Sequence, residues 1–433
     1  MPVSFPSSPT SGQVYEFSFN SWMYTGVFWR SINASGSVTS GNLGANVIFS
    51  GNIPSGSIGA NHLASGVGGG AGLSLSSGTV TSGFIGDNAI TSGNIASGQI
   101  GQYQINDFSL GFNVSRRKGY FAGGDTGAYV AAVYKLEYST EISAAKTSAN
   151  LTQARAYPMG CSGDGGKGYF AGGFTNTAVN TSDKIIYLTD TTNSQTSANL
   201  SQIKFGHVGI SEGKTKGYFA GGYSTNYSAT ADKITFATDT TAAQTSANLS
   251  QARQYLAGCS GDGTKGYFAG GWSASSTNVN TADKLSYSND TTIAQTTANL
   301  SQARSSLCGV SDGYTKGYFS GGDSGNVVST TDKIIYSTDT TAVQSSANLS
   351  QARVGLAGLS DSFVKGFFGG GNTNGGRVST VDKITYSTDT TAAQTTANLS
   401  QATQSLGAAG QESSYVFGNN CVFSGNISSS EIG

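Results

Sequence analysis

The phrase KGYFAGG begins at Lys118 and Lys167 and again at Lys216 and Lys265; it returns as KGYFSGG at Lys316 and as KGFFGGG at Lys365. The successive steps are 49, 49, 49, 51 and 49 residues. A period of that size restricts a chain to a solenoid, a propeller or an array, because one unit cannot bury its own apolar faces and must stack on copies of itself. It also means that function resides where the copies differ, since the repeated part is scaffold.

One unit, residues 252–302, reads as four short antiparallel strands. Residues 256–260 form a short apolar strand, and Gly261-Asp262-Gly263-Thr264 is a hairpin turn. Residues 266–269 form a second strand that ends in Gly270-Gly271, and a loop of about eleven residues follows. DKLSYSNDTT (283–292) holds a third strand and a polar turn, and AQTTANL (294–300) holds a fourth. Four strands per repeat of this length predict a propeller blade, hence an all-β fold. The third and fourth strands occur six times. The first two occur a seventh time if residues 405–419 are a degenerate copy, with Tyr415-Val416-Phe417-Gly418 matching YFAG. Seven blades, the last completed by flanking sequence, is the first expectation. Six blades with a swapped closing hairpin is the alternative.

The flanks differ in kind. Residues 1–33 are rich in aromatics and read as a β-hairpin or meander, with Asn20-Ser21 and Thr25-Gly26 as turn candidates. Residues 34–107 carry one aliphatic residue in each five: Val38, Leu43, Ile48, Ile53, Ile58 and Leu63, then Val80, Ile85, Ile90, Ile95, Ile100 and Ile105. A period of five fits neither a helix nor a flat strand. It fits a coiled β stem stabilised by stacking or intertwining with other copies; a flexible Gly/Ser linker is the alternative. Residues 108–420 hold the repeats, and CVFSGNISSSEIG (421–433) echoes the five-residue pattern. A closed ring brings its ends together, so the arrangement resembles a ring inserted into a fibrous stem.

Composition excludes several function classes. Charged residues make up 11% of the chain and the formal net charge is -1, which argues against nucleic-acid binding. No CxxC pair occurs among Cys161, Cys259, Cys308 and Cys421, so all four read as small buried hydrophobes and no metal or other cofactor is expected. The N-terminal residues lack a signal-peptide pattern, and no run of about 18 apolar residues exists to enter a membrane. The two histidines, His62 and His207, belong to no nucleophile or metal constellation; His207 is read as standing where other copies carry Tyr or Ser. The chain is therefore expected not to be an enzyme.

Two recurring aspartates read as structural. Asp183, Asp232, Asp283, Asp332 and Asp382 begin the third strand in all units but the first, and one active site has no use for five. The Asp of TDTT reads as a turn residue, with calcium ligation as the lesser alternative. The informative positions vary. The residue after Gly-Gly is in turn Asp125, Phe174, Tyr223, Trp272, Asp323 and Asn372, with Tyr129, Tyr227 and Arg377 in the same loops. These residues are expected on one rim, where aromatic faces stack on sugar rings and polar groups bond hydroxyls. The alternative is that they cover the blade edges.

The strand ending in Gly-Gly, the Tyr of the third strand (Tyr138, Tyr187, Tyr287, Tyr336, Tyr386, with Phe236 in one copy) and the Arg before the next unit (Arg155, Arg253, Arg304, Arg353, with Lys204 and Thr403 as departures) resemble the kelch β-propellers. That family's Trp on the fourth strand is missing, so packing between blades must differ. FPSSPTSGQVYEF followed by W-x-Y-x-G-x-F-W (22–29) resembles the N-terminal module of bacteriophage tail-fibre and other virion proteins. It departs in carrying Ser18-Phe19-Asn20-Ser21 instead of an Asn-Gly turn. The five-residue array is similar to stem repeats of such fibres, especially in phages of cyanobacteria and other aquatic hosts. The resemblance implies a virion protein made in the host cytoplasm, a homotrimeric stem, other tail or baseplate proteins as partners, and host attachment. A receptor-binding protein recognising a host cell-surface polysaccharide is the leading expectation. A purely structural decoration or spacer comes next, and a glycan depolymerase third.

Overall fold

The computed structural model describes residues 5–17, 20–32 and 117–411. The pentad array (34–107), the segment Tyr415–Gly418, Cys421 and the C-terminal echo lie outside the described residues. The chain divides into two units, Met1–Gln99 and Ile100–Gly433.

In the first unit, Val14–Phe17, Asn20–Tyr24 and Trp29–Ile32 pair in order as an antiparallel meander. Phe17 pairs with Asn20 and Glu16 with Ser21, so Asn20 and Ser21 belong to the second strand rather than to the turn expected there. The second turn is as expected, with the Thr25 amide donating to the Phe28 carbonyl at 2.9 Å. Three strands alone bury little. Phe5 supplies a lid: its ring stacks on Trp29 at 5.1 Å and meets Tyr15 and Trp22 edge-on at 5.7 and 5.5 Å. Phe5 of the FPSSP phrase is thus packed against the meander.

The second unit is a six-bladed β-propeller. Blades 2 to 6 each run inner strand to outer strand in chain order, as in Ala257–Cys259, Lys265–Ala269, Ala282–Ser286 and Thr291–Ala294 of blade 4. Blade 1 takes its inner strand from the far end: Gly407–Gly410 pairs with Lys118–Ala122, which pairs with Val133–Glu137 and then Ile142–Ala145. The expectation of seven blades is therefore corrected to the alternative, six. What was read as a seventh copy begins with one strand that closes blade 1. The fourth strand also starts earlier than the sequence suggested. In blade 4 it ends at Ala294, and Thr296–Ala298 is a 3-10 turn whose Ala298, with Leu300, anchors the connection in the core.

Neighbouring blades bury each other. The second strands (KGYFA in four copies) are buried from their second residue onward, without the alternation of a one-sided sheet, because each blade has a neighbour on both faces. The apolar core is accordingly six separate layers, one per interface, rather than one mass. Each interface holds a stacked ring pair: Tyr120–Tyr187, Tyr169–Phe236, Tyr218–Tyr287, Tyr267–Tyr336, Tyr318–Tyr386 and Phe367–Tyr138, with centroids 5.7 to 6.0 Å apart. A pair of this kind contributes about 0.5–1.5 kcal/mol beyond its area. At the axis the inner strands approach so closely that a Cβ on Gly309 would collide with the carbonyl of Gly258.

The TDTT aspartate fastens one blade to the next. Asp239 of blade 3 accepts from Lys167 Nζ at 2.7 Å, Lys184 Nζ at 2.6 Å and the Tyr169 hydroxyl at 2.5 Å, all from blade 2. Asp190, Asp290, Asp339 and Asp389 repeat the arrangement. Both carboxylate oxygens are committed to lysines, which leaves no calcium set; the turn reading holds in part, since each of these residues has φ between 53° and 56°. At the closing interface Glu141 replaces Asp, bonded to Lys365 and Lys383, and Phe367 replaces Tyr.

Burial opposes ionisation of these carboxyls, but the lysines and tyrosine draw Asp239, Asp290, Asp339 and Asp389 down to about 2. A folded pKa below the unfolded value of about 3.9 gives stabilisation that is complete above that value and is lost as pH falls through the folded one. The thermal midpoint is therefore expected to be flat above roughly pH 5 and to fall steeply between about pH 4 and pH 2. Calorimetry showing an unchanged midpoint at about pH 2 would show that the clamps add no net stability.

Candidate functional site

The loops between second and third strands share one face of the propeller with the connections between blades. Bridges join the two sets: Asp125 to Gln404, Phe174 to Ala156, Tyr223 to Phe205, Asp323 to Ser305 and Asn372 to Val354, while Trp272 pairs with Gln254. The Gly-Gly pair makes this geometry possible. Gly270 and Gly271 have φ of +67° and +116°, and the Gly271 amide donates to the Arg304 carbonyl of the next connection at 2.9 Å. The six variable positions thus do lie on one rim.

The structure divides that rim into two halves. On blades 1 to 3 the rings form a continuous set: Tyr129 meets Phe174 at 5.8 Å, Phe174 meets Phe205 at 5.0 Å, Phe205 meets Tyr223 at 5.8 Å and Tyr223 meets Tyr227 at 5.1 Å. All five rings are half-buried, so each keeps an accessible part. Trp272, on blade 4, is half-buried on the same rim and outside this set of ring pairs. Where blade 6 meets blade 1 the rim is polar. Arg377 Nη2 lies 2.8 Å from Asp125 Oδ2, Gln404 Nε2 donates to the same oxygen at 3.0 Å, and Asn372 Nδ2 donates to Gln404 Oε1 at 2.7 Å. Burial opposes ionisation of Asp125, yet Arg377 and the other donors hold its carboxyl below the usual range. Asp323 stands apart, accepting the Gly325 amide at 2.7 Å within its own loop.

Three rings of this region were not among the sequence candidates. Phe205 links the Phe174 and Tyr223 loops, and Tyr157 and Tyr255 line the mouth of the propeller axis. Tyr157 and Tyr255 meet at 5.3 Å over Gly206, where a Cβ would crowd the Tyr255 ring. The mouth is a depression with roughly 670 Å³ of empty space, solvent-open, walled by these tyrosines, Ser306 and Ser405 and floored by Leu256, Leu307, Leu356 and Leu406. Its edge is stitched by main chain: the Tyr157 amide donates to Ser405, Ser405 to Gly355, Gly355 to Ser306, Ser306 to Tyr255 and Tyr255 to Gly206. The signal that could have revealed these rings was the residue pair after the repeated Arg, which changes from copy to copy.

The repeated Arg and the third-strand Asp are structural partners. Arg304 Nη2 lies 2.7 Å from Asp332 Oδ2, and both side chains are fully buried. Arg155–Asp183, Arg253–Asp283 and Arg353–Asp382 repeat the pair, with Lys204–Asp232 in blade 3. The aspartate is thus a buried counter-ion as well as an acceptor for the connection's amides, such as Ser301 N at 3.3 Å. Blade 1 lacks both members, with Thr403 and Tyr134 in their places, each buried. His207 occupies the position of Leu256 and Leu307, not that of a Tyr or Ser as first read; burial, then the nearby Lys204 cation, keep its imidazole neutral. The Asp of the SGDGT turn caps its own turn: Asp262 accepts from the Thr264 amide at 3.0 Å and hydroxyl at 2.6 Å. Cys161, Cys259 and Cys308 are buried, and no cluster of metal-ligating side chains occurs among the described residues.

No family model matches the chain. No curated protein matches it. Among solved structures, that of YjhT superposes with a TM-score of 0.52 at 16% identity, covering 64% of this chain and 95% of that one. At that identity the likeness shows the propeller fold alone. No helix among the described residues is long and apolar enough to cross a membrane.

The natural loss of both pair members in blade 1 yields an expected outcome. Asp332→Ala strands a buried guanidinium and should cost about 3–5 kcal/mol. The double change Arg304→Thr with Asp332→Tyr, copying blade 1, should recover most of that loss in denaturant unfolding. A double variant no more stable than the single one would refute the exchange.

Proposed function

We propose that the chain is a bacteriophage tail-fibre or receptor-binding protein whose propeller recognises a host cell-surface polysaccharide without cleaving it. Its terminal segments place it with virion proteins by resemblance. On that reading the pentad stem forms a homotrimer, the N-terminal module attaches to other tail or baseplate proteins, and the location is the virion. The single observation that carries recognition is the half-buried aromatic crescent leading to the tyrosine-walled axial mouth, beside a polar arc on the same rim. Accessible rings beside fixed amide and carboxylate groups suit pyranose faces and hydroxyls. Arg117 and Gln411 lie on the propeller face opposite the rim, where the Gln411 amide donates to the Lys118 carbonyl at 2.8 Å.

Two observations support binding without cleavage. Glycoside hydrolysis needs two carboxyls flanking one bond. The rim loops offer Asp125, engaged by Arg377, and Asp323, on blades with blade 6 between them. A purely structural virion role is the second reading, and the mutual packing of the rim rings favours it.

The test is a glycan-array and host-cell binding assay of the full chain beside Tyr157→Ala/Tyr255→Ala and Trp272→Ala/Tyr223→Ala variants that retain the native circular dichroism. Loss of about 1.4 kcal/mol or more, a tenfold weakening, is expected in the first variant. Native protein that binds neither glycans nor cells would sink the recognition reading in favour of the structural one.

A further inference from the structure

The rim face is almost devoid of available charge, and this bears on what it can hold. Its loops are residues 123–132, 172–181, 221–230, 270–281, 321–330 and 370–380, and its connections are 150–158, 199–207, 248–256, 299–307, 348–356 and 398–406. The connections carry five cations, Arg155, Lys204, Arg253, Arg304 and Arg353, and each is buried against its own aspartate. The loops carry three further charges: Asp125, Asp323 and Arg377. Arg377 is bound to Asp125, so the one exposed cation is already neutralised, and Asp323 leaves the face with a carboxylate that no cation offsets. The lysines that the chain does possess in number lie at the blade interfaces, held by Asp190, Asp239, Asp290, Asp339, Asp389 and Glu141.

Recognition of a carboxylate, sulfate or phosphate relies on Arg or Lys placed to form charge-assisted bonds. Here such a group would meet paired cations and one unpaired carboxylate, a repulsive arrangement of the kind that sets specificity against a competitor. The aromatic crescent, the Ser306 and Ser405 hydroxyls and the amides of Gln404 and Asn372 need no charge on their ligand. We infer that the rim takes an uncharged saccharide and discriminates against its acidic counterparts. This inference rests on the recognition reading above and names its ligand class.

The experiment uses the full chain and paired polysaccharides of matched backbone, one neutral and one bearing uronic acid or sulfate, at about 0.15 M salt. The expected result is binding of the neutral member, with at least tenfold weaker binding of the acidic one. Asp323→Lys should narrow that gap severalfold by raising affinity for the acidic member, and Asp125→Asn, which releases Arg377, should act in the same direction. Asp323 is half-buried in its loop and belongs to no core layer, so the change removes none of the core. If the native protein binds acidic members as tightly as neutral ones or tighter, the inference is overturned and recognition stands. If it binds neither class, both fall together.

Discussion

Every blade depends on its neighbours for both faces of its sheet. The KGYFA strand is buried along almost its whole length, which a sheet with one solvated face never shows. Six interfaces each hold their own apolar layer, so an open row would leave both faces of one such layer in water. Closure through Gly407–Gly410 removes both exposed ends at once. What remains open are the outer edges, and these are four-residue strands rich in Thr and Ala, short and polar enough to discourage pairing with other chains.

The closing seam shows how that dependence shapes the exceptions. Where blade 6 meets blade 1, Glu141 replaces the aspartate clamp and Phe367 replaces the tyrosine that would have bonded to it. The longer carboxylate keeps both lysines, and the lost hydroxyl leaves no donor unsatisfied. In the same blade, Thr403 and Tyr134 replace both halves of the buried ion pair. Taken singly, each substitution reads as decay of the repeat. Taken together they are exchanges in which both partners change, because removing one half of a buried pair costs far more than removing both.

Much of the architecture was legible in one dimension. The 49-residue step, the Asp-Gly turns, the Gly-Gly strand end and the third-strand Tyr led to a propeller with the right loops on the rim. The blade number was not, because the repeat counts strands and the inner strand of blade 1 comes from the other end of the chain. The fourth strand was misplaced by a few residues since Thr, Ala, Ser and Gln carry no alternation to phase it, and the Leu that drew attention belongs to a 3-10 turn beyond it. The rim candidates were found by their variation. Phe205, Tyr157 and Tyr255 were passed over because they sit inside the connection one or two residues after Lys204, Arg155 and Arg253, whose roles in the buried ion pairs are structural.

The sequence by itself determined the repeating unit, its turns and the set of residues free to vary, since these follow from local backbone chemistry and from period. Tertiary structure alone decided which charges are spent and which rings are shared. Asp239 and Lys167 are 72 residues apart, and Tyr157 and Tyr255 are two blades apart. Only the closed ring brings them to bonding distance, and with that it leaves a rim of accessible aromatic rings and almost no free charge.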